Sequence, residues 1–113
     1  MAKKRVILEL GSGNDLHGSD YTKAALRAVQ DALHHSSLAF VRSLKVDKKQ
    51  LDVEVTIGVQ QPERVEIEKV KASVPVGNVT VKVVKGGLDV ADPEHSDPAV
   101  IASAAIAVRI DVA

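Results

Sequence analysis

Hydrophobic and polar residues alternate most regularly between positions 51 and 59. Leu51, Val53, Val55, Ile57 and Val59 face one way there, and Asp52, Glu54 and Thr56 the other. A period of two marks a strand with one buried face. Weaker alternation predicts a strand over 5–10, with Val6, Leu8 and Leu10 set against Arg5, Ile7 and Glu9, and another over 79–83. A last, long strand is expected over 99–112, carrying Ile106, Val108, Ile110 and Val112 on one face. The period changes between these segments. Ala25, Leu26, Val29, Ala32 and Leu33 recur at helical spacing, which predicts a helix from about Asp20 to His35, with Ser19 or Asp20 as its cap. His34-His35 suit the negative end of its dipole. Leu38, Val41 and Leu44 suggest a short helical piece over 36–44, and Ile67 and Val70 a short helix over 65–71 that Pro75 and Gly77 close.

The predicted order is β-α-β-α-β-β in a single domain, 1–113. This is an α+β class fold, a two-layer sandwich with a mixed four-stranded sheet and both helices on one face. The opposite sheet face should carry Arg5, Glu9, Asp52, Glu54, Thr56, Lys82, Arg109 and Asp111 around the small residues Ser103, Ala105 and Ala107. Such a face is either solvated or covered by other copies of the chain. Glu9 reads most simply as a cross-strand partner of a basic residue. Gly86-Gly87 permits a bulge or a close backbone approach. The polar run 92–98 reads as a surface loop, and Arg42, Lys45, Lys48 and Lys49 as a solvated basic turn.

Charge narrows the choice of partners. Fifteen basic and fifteen acidic side chains cancel. That balance argues against nucleic acid or an anionic membrane as a partner. Tyr21 and Phe40 are the only aromatics, too few for base stacking. The absence of cysteine excludes disulfide and thiolate chemistry. The apolar run after Met1–Arg5 is too short for an export signal, so a cytoplasmic protein is expected. A core of small aliphatics, without large anchors, favours assembly into a homo-oligomer.

Candidate chemistry concentrates in Gly11-Ser12-Gly13-Asn14-Asp15-Leu16-His17-Gly18-Ser19-Asp20, between the first strand and the first helix. A loop in that position exposes backbone N–H groups and the positive end of a helix. Asp15 and His17, two apart, would point into one cleft if the segment is extended. The carboxylate would then orient the imidazole for general acid or base work. Gly11, Ser12, Gly13, Asn14, Gly18 and Asp20 are the candidate ligand-binding positions, with Arg109 and Lys82 adding charge from a neighbouring subunit. The alternative is a purely architectural loop in which Asp15 accepts backbone N–H bonds and the glycines permit positive φ. A dinucleotide fingerprint does not fit, because its third glycine would fall at Leu16. No Gly-Lys-Ser/Thr phosphate loop follows. No cofactor is expected. Asp15 and His17 supply two metal ligands at most without His95 or Asp20, so no metal site is assigned.

Gly11-x-Gly13-x-Asp15-x-His17-Gly18, Ala32-Leu33-His34-His35 and Val84-x-Gly86-Gly87-Leu88 together resemble the bacterial "lin" family of conserved hypothetical proteins, which has plant relatives. That resemblance spans nearly the whole chain and implies no activity. In layout the chain is also similar to small trimeric chorismate mutases, to reactive-intermediate deaminases and to repeat units of cyanuric acid hydrolase. The likeness implies a chorismate-mutase-like sandwich, assembled as a trimer with ligands in clefts between subunits. Arg5 and Arg109 match the mutase's arginine-bearing strands. Lys82 and Lys85 stand where its glutamate would precede the Gly-Gly turn. No serine directly precedes Gly86-Gly87, as the hydrolase pattern would need.

Three functions are compatible with these residues. The first is an enzyme acting on a small polar metabolite through Asp15 and His17. The second is a non-catalytic protein binding such a molecule in the same cleft. The third is a structural homo-oligomer whose loop shapes an interface. Asp15 and Asp20 repel a bare phosphate, so the expected ligand offers both donors and acceptors: an amide, a hydroxy acid or a heterocycle.

Overall fold

Two long strands, Ala2–Asp15 (β1) and Ala99–Val112 (β5), lie antiparallel along nearly their full length in the computed structural model. The structure describes residues 2–34, 50–74, 77–94 and 97–112. Between the long strands come helix α1 (Tyr21–His34), strand β2 (Asp52–Val59) and a 3-10 turn (Pro62–Arg64). Helix α2 (Ile67–Ala72) and strands β3 (Asn78–Lys85) and β4 (Leu88–Val90) follow. The sheet order is β1-β5-β2-β3, with β4 pairing β5 beyond the end of β2. Only β2 and β3, joined through α2, run parallel. The helical piece expected over 36–44, the basic turn, His35 and His95 lie outside the described residues.

Both described helices cover one face of this sheet, so the fold is the two-layer α+β sandwich that the periodicities imply. Val53, Val55, Ile57 and Val59 of β2 and Val100, Ala102, Ala104, Ile106 and Val108 of β5 form the sheet side of the core. The alternation of β2 and β5 places them there. Val70 brings α2 onto the core, whereas Ile67 stays 42% exposed.

The sheet has five strands rather than four. Leu88–Val90 pairs Leu88 with Ile101 and Val90 with Ala99, but three residues are too short to show a period. The Gly86-Gly87 turn before it is a close approach. Gly86 Cα lies near the Gly58 backbone, and Gly87, at φ +63°, leaves no room for a Cβ beside Ile101 O.

Strand β1 differs from its expected form in two ways. It runs on through Gly11–Asp15, which pair with Ala104–Val100, so the predicted loop contracts to Leu16–Asp20. It also turns its other face to the helices. Ile7, Glu9, Gly11, Gly13 and Asp15 share the face on which α1 packs, while Val6, Leu8 and Leu10 are 42%, 44% and 64% exposed. The register shift between Arg5 and Ile7 is the local cause. Lys3 and Arg5 pair with Asp111 and Arg109 on the open face, and one extra residue then reverses the parity. Glu9 is therefore half-buried on the helix face and not on the open one.

Candidate functional site

The end of β1 is built around close contact with α1. A Cβ on Gly11 would stand against Ala32 N and 2.5 Å from Ala28 O. One on Gly13 would press on Ala28 N and Ala24 O, and come 2.7 Å from Arg27 C. These are backbone atoms, so the glycines let the Ala24-Ala28-Ala32 ridge lie directly on the strand. Their role here is packing, and neither sits in a flexible loop.

Two positions on, the same face carries Asp15. Its side chain is 3% exposed at the foot of α1. Asp15 Oδ2 accepts the Asp20 N–H at 2.9 Å. Lys23 Nζ and Arg27 Nη1 stand 3.7 and 3.8 Å from Oδ1. Lys23 and Arg27 are one helical turn apart, so both overhang this carboxylate. Arg27 also donates to Asn14 O at 2.6 Å, and Asp31 accepts the Ser12 N–H at 2.9 Å. Helix side chains thus close over the outer edge of β1.

The Leu16–Asp20 loop is held by carboxylates. Gly18 and Ser19 adopt positive φ, +91° and +49°. Asp97, from the segment before β5, accepts the Gly18 N–H at 2.7 Å and the Ser19 hydroxyl at 3.1 Å. Asp20 caps α1 by accepting the Lys23 N–H at 3.0 Å. The N–H groups of Ser12, Gly18 and Asp20, expected to cradle a ligand oxygen, therefore already have partners within the chain. Asp15, Asp20 and Asp97 satisfy the positive end of α1 in place of an external anion.

What stays open is a cleft of about 250 Å³ beside this anchor, lined by Asp15, Leu16, His17, Lys23 and Arg27. Leu16 and His17 are exposed. Asp15 and His17 both line this space. Asp15, however, is engaged by Asp20, Lys23 and Arg27 rather than by the imidazole. The cations exceed the carboxylate by one charge, so the cleft combines an anion-attracting wall with a buried acceptor. Arg109 and Lys82 do not reach it within one chain. Arg109 bonds Glu54 at 3.0 Å on the open sheet face, roughly 30 Å further along β5 at the rise of a strand. Lys82 is exposed on that same face of β3. Among the described residues no His/Cys/Asp/Glu group suited to a metal ion occurs.

A second polar cluster escaped the sequence reading. The Tyr21 hydroxyl, on a residue only 2% exposed, donates to Asp89 Oδ2 at 2.5 Å and accepts from Gln61 Nε2 at 3.0 Å. The Arg64 guanidinium lies 4.9 Å from the centre of the ring. Burial, followed by the adjoining Asp89 carboxylate, raises the Tyr21 pKa above its ordinary value. Next to it, Thr22 Oγ1 accepts the Glu66 N–H at 2.9 Å. The available signal was a lone tyrosine at a helix start and an acid between two apolar residues after Gly-Gly. Neither declares a partner.

Comparison with known proteins follows the same outline. Residues 5–108 match a family model described as "Conserved hypothetical protein (Lin0512_fam)". The chain belongs to the Lin0512 family. Its matched span runs from β1 to late β5 and so takes in the glycines, Asp15, His17 and the Gly86-Gly87 turn. The crystal structure of an FtsZ-like protein of unknown function from Nostoc punctiforme is similar over 99% of both chains, at 38% identity and a TM-score of 0.84. No curated protein matches the chain. Among the described residues, no helix is long and apolar enough to cross a membrane.

Proposed function

We propose that this Lin0512-family protein binds a small polar metabolite bearing an acidic group in the cleft between the end of β1 and the first turns of α1. The observation that carries the reading is the pairing of Lys23 and Arg27 over Asp15. Two cations stand at 3.7 and 3.8 Å, beyond normal hydrogen-bond length, with donors left for a ligand. A carboxylate entering the cleft gains both cations, while Asp15 and His17 offer acceptors to a neighbouring hydroxyl or amide. A hydroxy acid satisfies all four groups. A nucleoside triphosphate does not, since Asp15 repels it and about 250 Å³ is small for it.

His17 is the residue placed to exchange a proton with such a ligand. It is exposed at the rim, where its two ring nitrogens can offer one donor and one acceptor to a bound ligand. If the protein is an enzyme, turnover passes through His17, with Lys23 and Arg27 holding the substrate. Without turnover the same cleft is a binding site.

A thermal-shift screen of hydroxy acids, amides, heterocycles, ATP and NAD tests this. Saturation at about a hundred times Kd stabilises by roughly 2.7 kcal/mol. The expected result is a shift with a hydroxy acid that disappears in Arg27→Ala and His17→Asn, the latter leaving the unliganded melting temperature unchanged. Strong stabilisation by ATP or NAD with none by the small ligands refutes the proposal.

A further inference from the structure

Of the seven large hydrophobic residues left exposed among those described, five lie on one surface: Val6, Leu8, Leu10, Leu88 and Val90. All five are on the sheet face that neither of the described helices covers. Val6 sits at the β1 bulge, Leu8 and Leu10 pair with Ala107 and Ala105, and Leu88 and Val90 pair with Ile101 and Ala99. Soluble chains seldom gather apolar side chains in this way without covering them.

The relief of this face is self-complementary. Leu8 and Leu10 form a ridge along β1, and Ser103, Ala105 and Ala107 form a shallow trough along β5 beside it. A two-fold axis running along the strands between β1 and β5 lays each ridge on the other copy's trough. This is the reciprocal contact of an isologous dimer. The charges at one end of the face do not oppose covering it. Lys3 stands 3.4 and 3.8 Å from Asp52 and Asp111, and Arg109 stands 3.0 Å from Glu54, so each of these carboxylates already faces a cation of its own chain. Paired charges of both signs also give no purchase to nucleic acid or to an anionic membrane.

The overlap takes in the two 14-residue strands of each copy, roughly 46 by 10 Å at the spacings of a sheet, which places the interface at the small end of the range for stable pairs. Edge-to-edge addition along β1 is a poorer alternative, because Asp31 and Arg27 already occupy the edge at Ser12 and Asn14. We infer that the open sheet face is where a second copy of this chain docks, with the Leu8–Leu10 ridge of each over the Ala105–Ala107 trough of the other. The inference is independent of the cleft, which lies beside the opposite, helix-covered face. Arg109, on β5, then belongs to the interface and not to a ligand.

Light scattering coupled to size exclusion decides the matter. The wild-type chain is expected above its 12.0 kDa monomer mass at micromolar concentration. Leu8→Asp/Leu10→Asp should run at the monomer mass with an unchanged far-ultraviolet spectrum, and Ile67→Asp, off the face, should match wild type. A covalent test covers the case in which the double variant fails to fold. The chain has no cysteine, so Ala105→Cys introduces a single thiol near the axis, which a short bifunctional maleimide should join between two copies where it does not join Ile67→Cys. A monomeric wild type, association that survives the double substitution, or equal cross-linking at 67 and 105 overturns the inference.

Discussion

Replacing Gly13 with alanine adds one methyl group, and the structure says where it goes. The new Cβ would press on Ala28 N and Ala24 O and lie 2.7 Å from Arg27 C. None of these atoms can rotate away, because all belong to the α1 backbone. Restoring ordinary van der Waals contact requires the helix to lift by roughly 1 Å, which loosens the Ala24-Ala28-Ala32 seam. Overpacking of this kind costs about 1–3 kcal/mol. Loss of glycine's freedom in the unfolded chain returns about 0.4–1 kcal/mol. The net expectation is destabilisation by about 1–2 kcal/mol, a fall in Tm of roughly 5–10 °C for a chain of this length. Urea denaturation at one fixed protein concentration should show the midpoint falling by about 1 M with an unchanged slope. Gly58→Ala serves as the control, since its Cβ would meet Gly86 Cα at 3.4 Å and should cost under about 1 kcal/mol. Adding Ala28→Gly should not rescue Gly13→Ala, because the obstruction is the Ala28 peptide nitrogen. A Gly13→Ala protein as stable as wild type, or rescue by Ala28→Gly, would falsify the close-packing account of the motif.

Two other substitutions probe the start of α1. Asp20→Ala removes the acceptor for the Lys23 N–H and should cost about 1 kcal/mol in the same denaturation assay, with Asp20→Asn close to wild type. Tyr21 has a raised pKa in the folded state, so its contribution is fully present below the unfolded value near 10.0 and fades as pH climbs through the folded value. Wild-type stability should therefore drop more steeply above pH 10 than that of Tyr21→Phe. Ultraviolet titration of the chain's single tyrosine should find its phenolate forming later than in a free peptide. A tyrosine titrating at the peptide value, with parallel pH profiles for the two proteins, would rule out the buried Tyr21–Asp89 pairing.

Strands β2 and β5 were legible because each buries one face against aliphatics, so the period of two is written in Val, Ile and Leu. Helix α1 was legible for the same reason, yet its innermost residues were not. Ala24 and Ala28 carry no hydrophobic signal that separates them from surface alanines, and their importance appears only opposite Gly11 and Gly13. The inward face of β1 ends in glycine and aspartate while its outward face carries leucine, so hydropathy points the wrong way there. A bulge at Val6 is invisible to any periodicity. Lys23 and Arg27, the ion-pair partners of Asp15, read in the sequence as solvent-facing positions on a helix. Asp97 and Asp89 act from far along the chain, and nothing in the local sequence ties either one to the start of α1.

The register of β1 on β5 also bears on how the chain acquires its fold. Ala2 meets Val112 and Asp15 meets Val100, so nearly the whole sequence separates the pairing partners. During synthesis at roughly 5–20 residues per second, β1 waits on the order of 5–20 s for the strand it zips against. Until then α1 has no completed surface to seat on, and the leucines of β1 are free to meet other nascent chains. Closure by so long a loop sets a slow entropic step in folding. The same geometry places both ends of the sheet's longest pair side by side. A permuted chain that joined them by a short linker and opened in a surface loop would keep every strand contact while converting the most distant pairing into a local one.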